Sequence, residues 1–143
     1  MEFHHWHADR ASLTPNGLGR GGSFRAVLGL RVDVDERDGA SVIAVGGELD
    51  LGSSPKLRDA AVRQLLGGDR ALILDLTGLE FLDSTGLGVI VGLLKRARTL
   101  GVDLRLVISR ARVLAPFEVT GIAGLLPIHE DLEAALGAVA AGP

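Results

Sequence analysis

The 143-residue chain contains no cysteine, so disulfides, a thiolate nucleophile and Cys-based zinc sites are excluded together. A chain without thiols suits a reducing compartment, and a cytoplasmic location is expected. No run of basic residues occurs either: the formal charge is −3, with acidic and basic side chains interspersed. That leaves no electrostatic footprint for nucleic acid, which is not an expected partner. The longest apolar stretch, around Gly86 to Leu94, falls far short of the roughly 18 residues that a membrane span needs. No membrane partner is expected, and the N-terminal residues lack the apolar core of an export signal.

The signatures of nucleotide chemistry are also missing. Gly86-Leu87-Gly88 invites a dinucleotide reading, but the third glycine of G-x-G-x-x-G would fall on Val91. No G-x-x-x-x-G-K-[ST] loop is present to cradle phosphates. A hydrolase would need a base for its serine, and the only histidine outside the N-terminal region is His129. Asp75, Glu80 and Asp83 could be imagined around Mg²⁺, but Asp75 suits the end of a strand and Asp83 suits a helix cap. His4, His5 and His7 have no surrounding shell to fix them as metal ligands. The chain is therefore expected to be no enzyme, and to need no cofactor and no metal.

What is present is a single domain's worth of core, with 47% hydrophobic residues. Ala71 to Leu100 organises it. Ala71 to Leu76 is an apolar run that reads as a strand covered on both faces, closed by Asp75 and Leu76. A turn follows, and then a helix with Leu87, Ile90, Val91, Leu94 and Ala97 on its inner stripe and Lys95 and Arg96 on the far side. Asp83 or Ser84 is the expected N-cap. At about 100° per residue, Ser84, Gly88 and Gly92 share one flank almost bare of side chains, where another protein's backbone could come close to the Ser84 hydroxyl. Ser84 can equally be read as a cap, and the glycines as aids to packing.

Met1 to Phe24 is Gly-rich and aperiodic, which predicts a flexible extension over residues 1–26, a docking segment or a passenger, before a domain over 27–140. Leu28 to Val34 and Ser41 to Val45 predict an antiparallel hairpin joined by Asp35 to Gly39. Ser54-Pro55 starts a helix that runs to about Leu66, with Leu57, Ala61 and Leu65 inside and Gly67 and Gly68 ending it. Val102 to Ile108 reads as a strand, Ser109 begins a third helical stretch, Leu125 to Ile128 adds an edge strand and Glu130 to Ala138 forms a last helix. Pro116 either breaks the third helix or begins it. The order ββαβαβα(β)α predicts an α/β fold with a mixed four- to five-stranded sheet, an N-terminal β-hairpin and helices packed against the sheet. Right-handed crossovers put the turn at Asp83 and Ser84 on the edge where parallel strands end, the usual place for binding.

Asp83-Ser84-Thr85-Gly86-Leu87-Gly88-Val89, with Gly47-Glu48-Leu49-Asp50 before it and Thr120-Gly121-Ile122 after it, resembles the signature of STAS domains and, more narrowly, of bacterial anti-sigma factor antagonists. The resemblance covers roughly Gly29 to Leu136, and three motifs in order are more specific than any one. It implies that Ser84 is phosphorylated by an anti-sigma factor with serine kinase activity. It also implies that the unmodified protein binds that kinase and frees a sigma factor, and that the phosphorylated form does not bind. Glu48, Asp50, Asp83, Thr85, Gly86, Gly88, Gly92, Thr120 and Gly121 are the partner-binding residues this implies, with the protein a monomer or weak dimer in a stress response. The other reading is a ligand-binding or scaffold STAS module that is never phosphorylated.

Overall fold

The structure, a computed structural model, describes residues 29–142. The extension over 1–26, the strand start at Leu28 and the histidines His4, His5 and His7 lie outside the described residues. β1 (Arg31–Arg37) and β2 (Ala40–Leu49) form the expected hairpin. Its turn is tighter than the composition suggested, because Asp35 to Arg37 stay in the strand. Only Asp38 and Gly39, both at positive φ (55° and 83°), reverse the chain, and such a turn twists with the strands it joins.

The remaining elements are α1 (Ser54–Leu65), β3 (Ala71–Leu82), α2 (Ser84–Leu100), β4 (Asp103–Val107), α3 (Ala111–Val119), a 3₁₀ turn (Ile122–Gly124), β5 (Ile128–His129) and α4 (Leu132–Ala141). The five strands lie in the order β1-β2-β3-β4-β5, with only the first pair antiparallel. The expected α/β architecture is therefore present with five strands. The edge strand is shorter than Leu125 to Ile128 implied and starts later.

One face of the sheet carries α1, α2 and α3 over the larger core, which includes Leu57, Leu72, Leu74, Leu79, Ile90, Leu93 and Phe117. The other face carries α4, whose Ala135 and Val139 pack on Ala40, Val42, Ile73 and Val107. Leu57, Ala61 and Leu65 form the inner face of α1 as expected, but Ser53, not Ser54, is its N-cap, and Ser54 is buried. In α2, Leu87, Ile90, Leu94 and Ala97 are buried, and Leu93 takes the place expected for Val91, which is only half-buried. The buried arc is thus turned toward Leu93, away from the flank bearing Ser84, Gly88 and Gly92.

β3 is the largest departure. It does not close at Asp75 and Leu76 but continues to Leu82, pairing with Gly46 to Leu49 through two register shifts. At the first shift the Asp75 carboxylate turns back on the chain, accepting from Thr77 N at 3.1 Å and Thr77 Oγ1 at 2.8 Å. Each shift adds a residue to β3 and twists it, which is how a strand with Asp, Thr and Gly in its middle still pairs. Pro116 neither breaks nor begins α3, which runs through it. Its missing N–H leaves only the Arg112 carbonyl without its helical bond, in the first exposed turn, where water can serve it.

Candidate functional site

The ends of β2 and β3 and the start of α2 meet at one edge of the sheet, and Asp83 ties them together. Its backbone N–H donates to Leu49 O at 3.1 Å, and its carbonyl accepts from Leu87 N at 3.0 Å. Its carboxylate accepts from Gly86 N at 2.9 Å and, with the other oxygen, from Leu51 N at 3.2 Å. Asp83 is therefore the N-cap of α2 and also a clasp on the β2–α1 loop. That loop is stiffened from within. Asp50 Oδ1 accepts from Gly52 N and Ser53 N, both at 3.1 Å, while Ser53 Oγ donates to Glu48 O at 2.8 Å and accepts from Asp50 N at 3.0 Å.

With Asp83 as the cap, Ser84 becomes the first helical residue. It is exposed, and among the described residues its hydroxyl has no hydrogen-bond partner. Gly88 is exposed and Gly92 half-buried, and among the described residues a Cβ on either would meet nothing within 4 Å beyond its own stretch of helix. Gly86 differs from them. It is buried, and a Cβ there would lie 2.7 Å from Leu49 Cγ, so its bareness serves packing inside the edge and not an approach from outside. Thr85 is half-buried beside it.

Glu48, Asp50 and Asp83 thus come together with Ser84. Thr120 and Gly121 make their contacts elsewhere: Thr120 Oγ1 donates to Pro116 O at 2.7 Å, and Gly121 adopts a left-handed φ of 81° after α3. The segment that follows is tied by the Leu125 carbonyl to Arg98, in the last turns of α2. Sequence reasoning missed Leu51 and Phe81. They are 72% and 48% exposed, Leu51 through its amide on Asp83 and Phe81 paired with Glu48 across the strands. A large apolar residue in a loop or beside a bulge, next to the motif, was the available signal.

A cavity of about 430 Å³ lies at the end of the sheet opposite this edge, lined by Arg70, Ala71, Gly101, Asp103, Arg105, Val139 and Gly142. His129 is no base for Ser84. It sits on β5, at the far edge of the sheet, where Arg105 Nη1 is 3.2 Å from its Nε2. Burial, and then the Arg105 charge, hold its pKa below the ordinary 6.5. Among the described residues no three His, Cys, Asp or Glu side chains gather as metal ligands, and no helix is long and apolar enough to cross a membrane.

The STAS domain family matches residues 31–135, the whole of the folded unit from β1 into α4. The chain belongs to the STAS domain family. As a STAS domain it is 30% identical over 106 residues to the anti-sigma-B factor antagonist of Staphylococcus aureus (strain NCTC 8325), a match covering 74% of this chain and 98% of that protein. It is 35% identical over 117 residues to a Mycobacterium tuberculosis (strain H37Rv) protein named as an anti-anti-sigma factor, covering 80% and 78%. Among solved structures, that of an anti-sigma factor antagonist from Mycobacterium paratuberculosis superposes with a TM-score of 0.73 at 29% identity, covering 77% of this chain and 93% of that one. In this STAS domain, residues 1–30 precede the matched region.

Proposed function

We propose that this protein is an anti-sigma factor antagonist whose unphosphorylated form binds an anti-sigma factor kinase and releases a sigma factor. Phosphorylation of Ser84 switches that binding off. The observation that carries the reading is the state of Ser84: an exposed hydroxyl without a hydrogen-bond partner among the described residues, at the start of a helix, on a frame pinned by Asp83 and Asp50. The names of its relatives point to the same activity.

The chemistry is a phosphoryl transfer in which this chain is the acceptor and not the catalyst. Ser84 Oγ attacks the γ-phosphorus of the kinase's Mg²⁺-ATP, the bond to the bridging oxygen breaks, ADP leaves, and the hydroxyl proton passes to the kinase's base. No internal base is needed, and His129 is too remote to act as one. The stiff loop and the side-chain-free flank at Gly88 and Gly92 let the kinase's backbone come close without first ordering this surface, which lowers the cost of binding. The cycle takes place in the cytoplasm, with the protein a monomer or weak dimer.

The test uses the cognate anti-sigma factor kinase, Mg²⁺-ATP and mass spectrometry. Phosphate is expected on Ser84 of the wild-type chain and of Thr85→Ala, and none on Ser84→Ala, which still binds the kinase. Phosphate on Thr85, or a Ser84→Ala chain modified as fast as wild type, would sink the reading.

A further inference from the structure

Among the described residues α4 is the one helix packed on its face of the sheet, and at its last turn the cavity of about 430 Å³ opens between it and the starts of β3 and β4. Asp103 and Arg105 stand two apart on β4 and therefore point to the same side, and Ala71 is the register partner of Asp103. These three form the floor. Val139 and Gly142, three apart at the end of α4, form a wall. Arg70 and Gly101 stand at the rim, which is held to the floor by the bond from Asp103 N to Arg70 O at 2.9 Å.

The lining carries more positive charge than it neutralises. The Arg105 side chain is only 16% exposed, yet it is engaged only through Nε, 3.0 Å from Asp103 Oδ2, and Nη1, 3.2 Å from His129 Nε2. Its Nη2 has no partner among the described residues and is not sealed from solvent. The Arg70 guanidinium is exposed and forms no hydrogen bond or ion pair with any described residue. Two guanidiniums thus face one carboxylate, and the imidazole of His129, which accepts from Arg105, adds no charge. The end of α4 contributes roughly half a negative charge, so the balance stays positive. A mostly buried cation short of partners is costly unless a further acceptor completes it.

We propose that this cavity binds a small carboxylic acid as its monoanion, with the carboxylate on Arg105 Nη2 and Arg70 and a short hydrocarbon tail on Ala71 and Val139. A planar carboxylate matches a guanidinium fork, and a surplus of less than one positive charge suits one negative charge better than the two of a phosphate. The size is also suitable, since cavities of about 300–1,000 Å³ hold small molecules. β3 runs from this cavity at Ala71 to the Ser84 edge at Leu82, about 35 Å at the rise of an extended chain. A ligand here therefore leaves that edge open, and the site does not depend on the function proposed for Ser84.

The probe is sodium butyrate, titrated into the full-length ¹⁵N-labelled chain near neutral pH, with sodium chloride adjusted to keep the ionic strength constant. Amide signals of Ala71, Gly101, Asp103 and Gly142 and the Arg105 side-chain Nε–H signal are expected to move and to saturate with a Kd of about 1 mM, while Leu51 and Ser84 keep theirs. Arg70→Gln removes no contact within the described domain, so its thermal midpoint should match wild type while its affinity for butyrate falls about fivefold. Arg105→Lys, which keeps the charge and loses the fork, should also bind more weakly. Butanol and butylammonium, equal in length but without the negative charge, should leave the signals in place. The proposal is overturned if no signal moves well above that concentration, if the shifts fail to saturate, or if Arg70→Gln binds butyrate as tightly as wild type. Equal shifts with butanol or butylammonium, or tighter binding of inorganic phosphate than of butyrate, overturn it as well. No kinase enters the experiment, so failure here and failure of the Ser84 reading are separate results.

Discussion

Gly86, Gly88 and Gly92 lie in one short run of sequence, and the structure gives them different work. At Gly86 a Cβ would be 2.7 Å from Leu49 Cγ and 3.0 Å from Leu49 O, so Gly86→Ala pushes α2 off the end of β2. Overpacking of this kind costs about 1–3 kcal/mol, offset in part by alanine's better helix propensity. The expected result in a thermal melt is a lower midpoint. At Gly88 and Gly92 none of the described residues outside the helix opposes a Cβ, so Gly88→Ala and Gly92→Ala should raise the midpoint, each by up to about 1 kcal/mol of stability. If the flank is the docking face, the same two substitutions weaken kinase binding, and stability and affinity move in opposite directions. The sequence shows three glycines and a helical period. It does not show which glycine touches Leu49, because that contact comes from a strand 37 positions earlier, Leu49 to Gly86. The choice between Asp83 and Ser84 as cap was open for a similar reason: either side chain can cap, and the bond from Leu51 N to Asp83, made across the fold, favours one.

The elements with regular periods were readable: the hairpin, the inner face of α1, the extent of α2 and the parallel order around β3. β3 itself was cut short because Asp75, Thr77 and Gly78 have the composition of a loop, and only pairing with Gly46 to Leu49 keeps them in the sheet. Two-residue β5 has too little sequence to carry a period and is defined by its neighbour β4. Its side chains give an element-scale prediction. His129 is half-buried against Arg105, and its pKa lies below 6.5 because burial and then the Arg105 charge disfavour imidazolium. The unfolded chain then binds the proton more readily than the folded one. This contribution to stability is therefore complete above about pH 6.5 and is lost as pH falls toward the lowered value. An NMR titration of the His129 ring should give a midpoint below 6.5, and Arg105→Gln should move it upward. A wild-type midpoint at or above 6.5 would contradict the Arg105 contact.

For the molecule as a whole, the proposed switch must change binding without unfolding the chain that carries it. A phosphate on Ser84 adds about −1.5 to −2 charges next to Asp83 and near Glu48, Asp50 and Glu80. Within the protein, the start of α2 offsets this, since the helix N-terminus favours an anion by about 0.3–1 kcal/mol. Ser84 is also exposed, so the group keeps its water. At a partner the balance reverses. A dianion pressed against another backbone loses its hydration without gaining a partner cation, and about 3 kcal/mol of that penalty weakens binding more than a hundredfold. Ser84→Asp supplies part of the same charge. It should melt close to wild type, because the carboxylate faces water and the helix start, yet bind the anti-sigma factor kinase much more weakly, as measured by titration calorimetry on both chains. Raising the salt should recover only part of the loss, because screening relieves repulsion between exposed charges but does not restore hydration removed at a close contact. A Ser84→Asp chain that binds as tightly as wild type would place the partner elsewhere on the domain. One that melts far below wild type would show that the residue has a structural task the geometry does not predict.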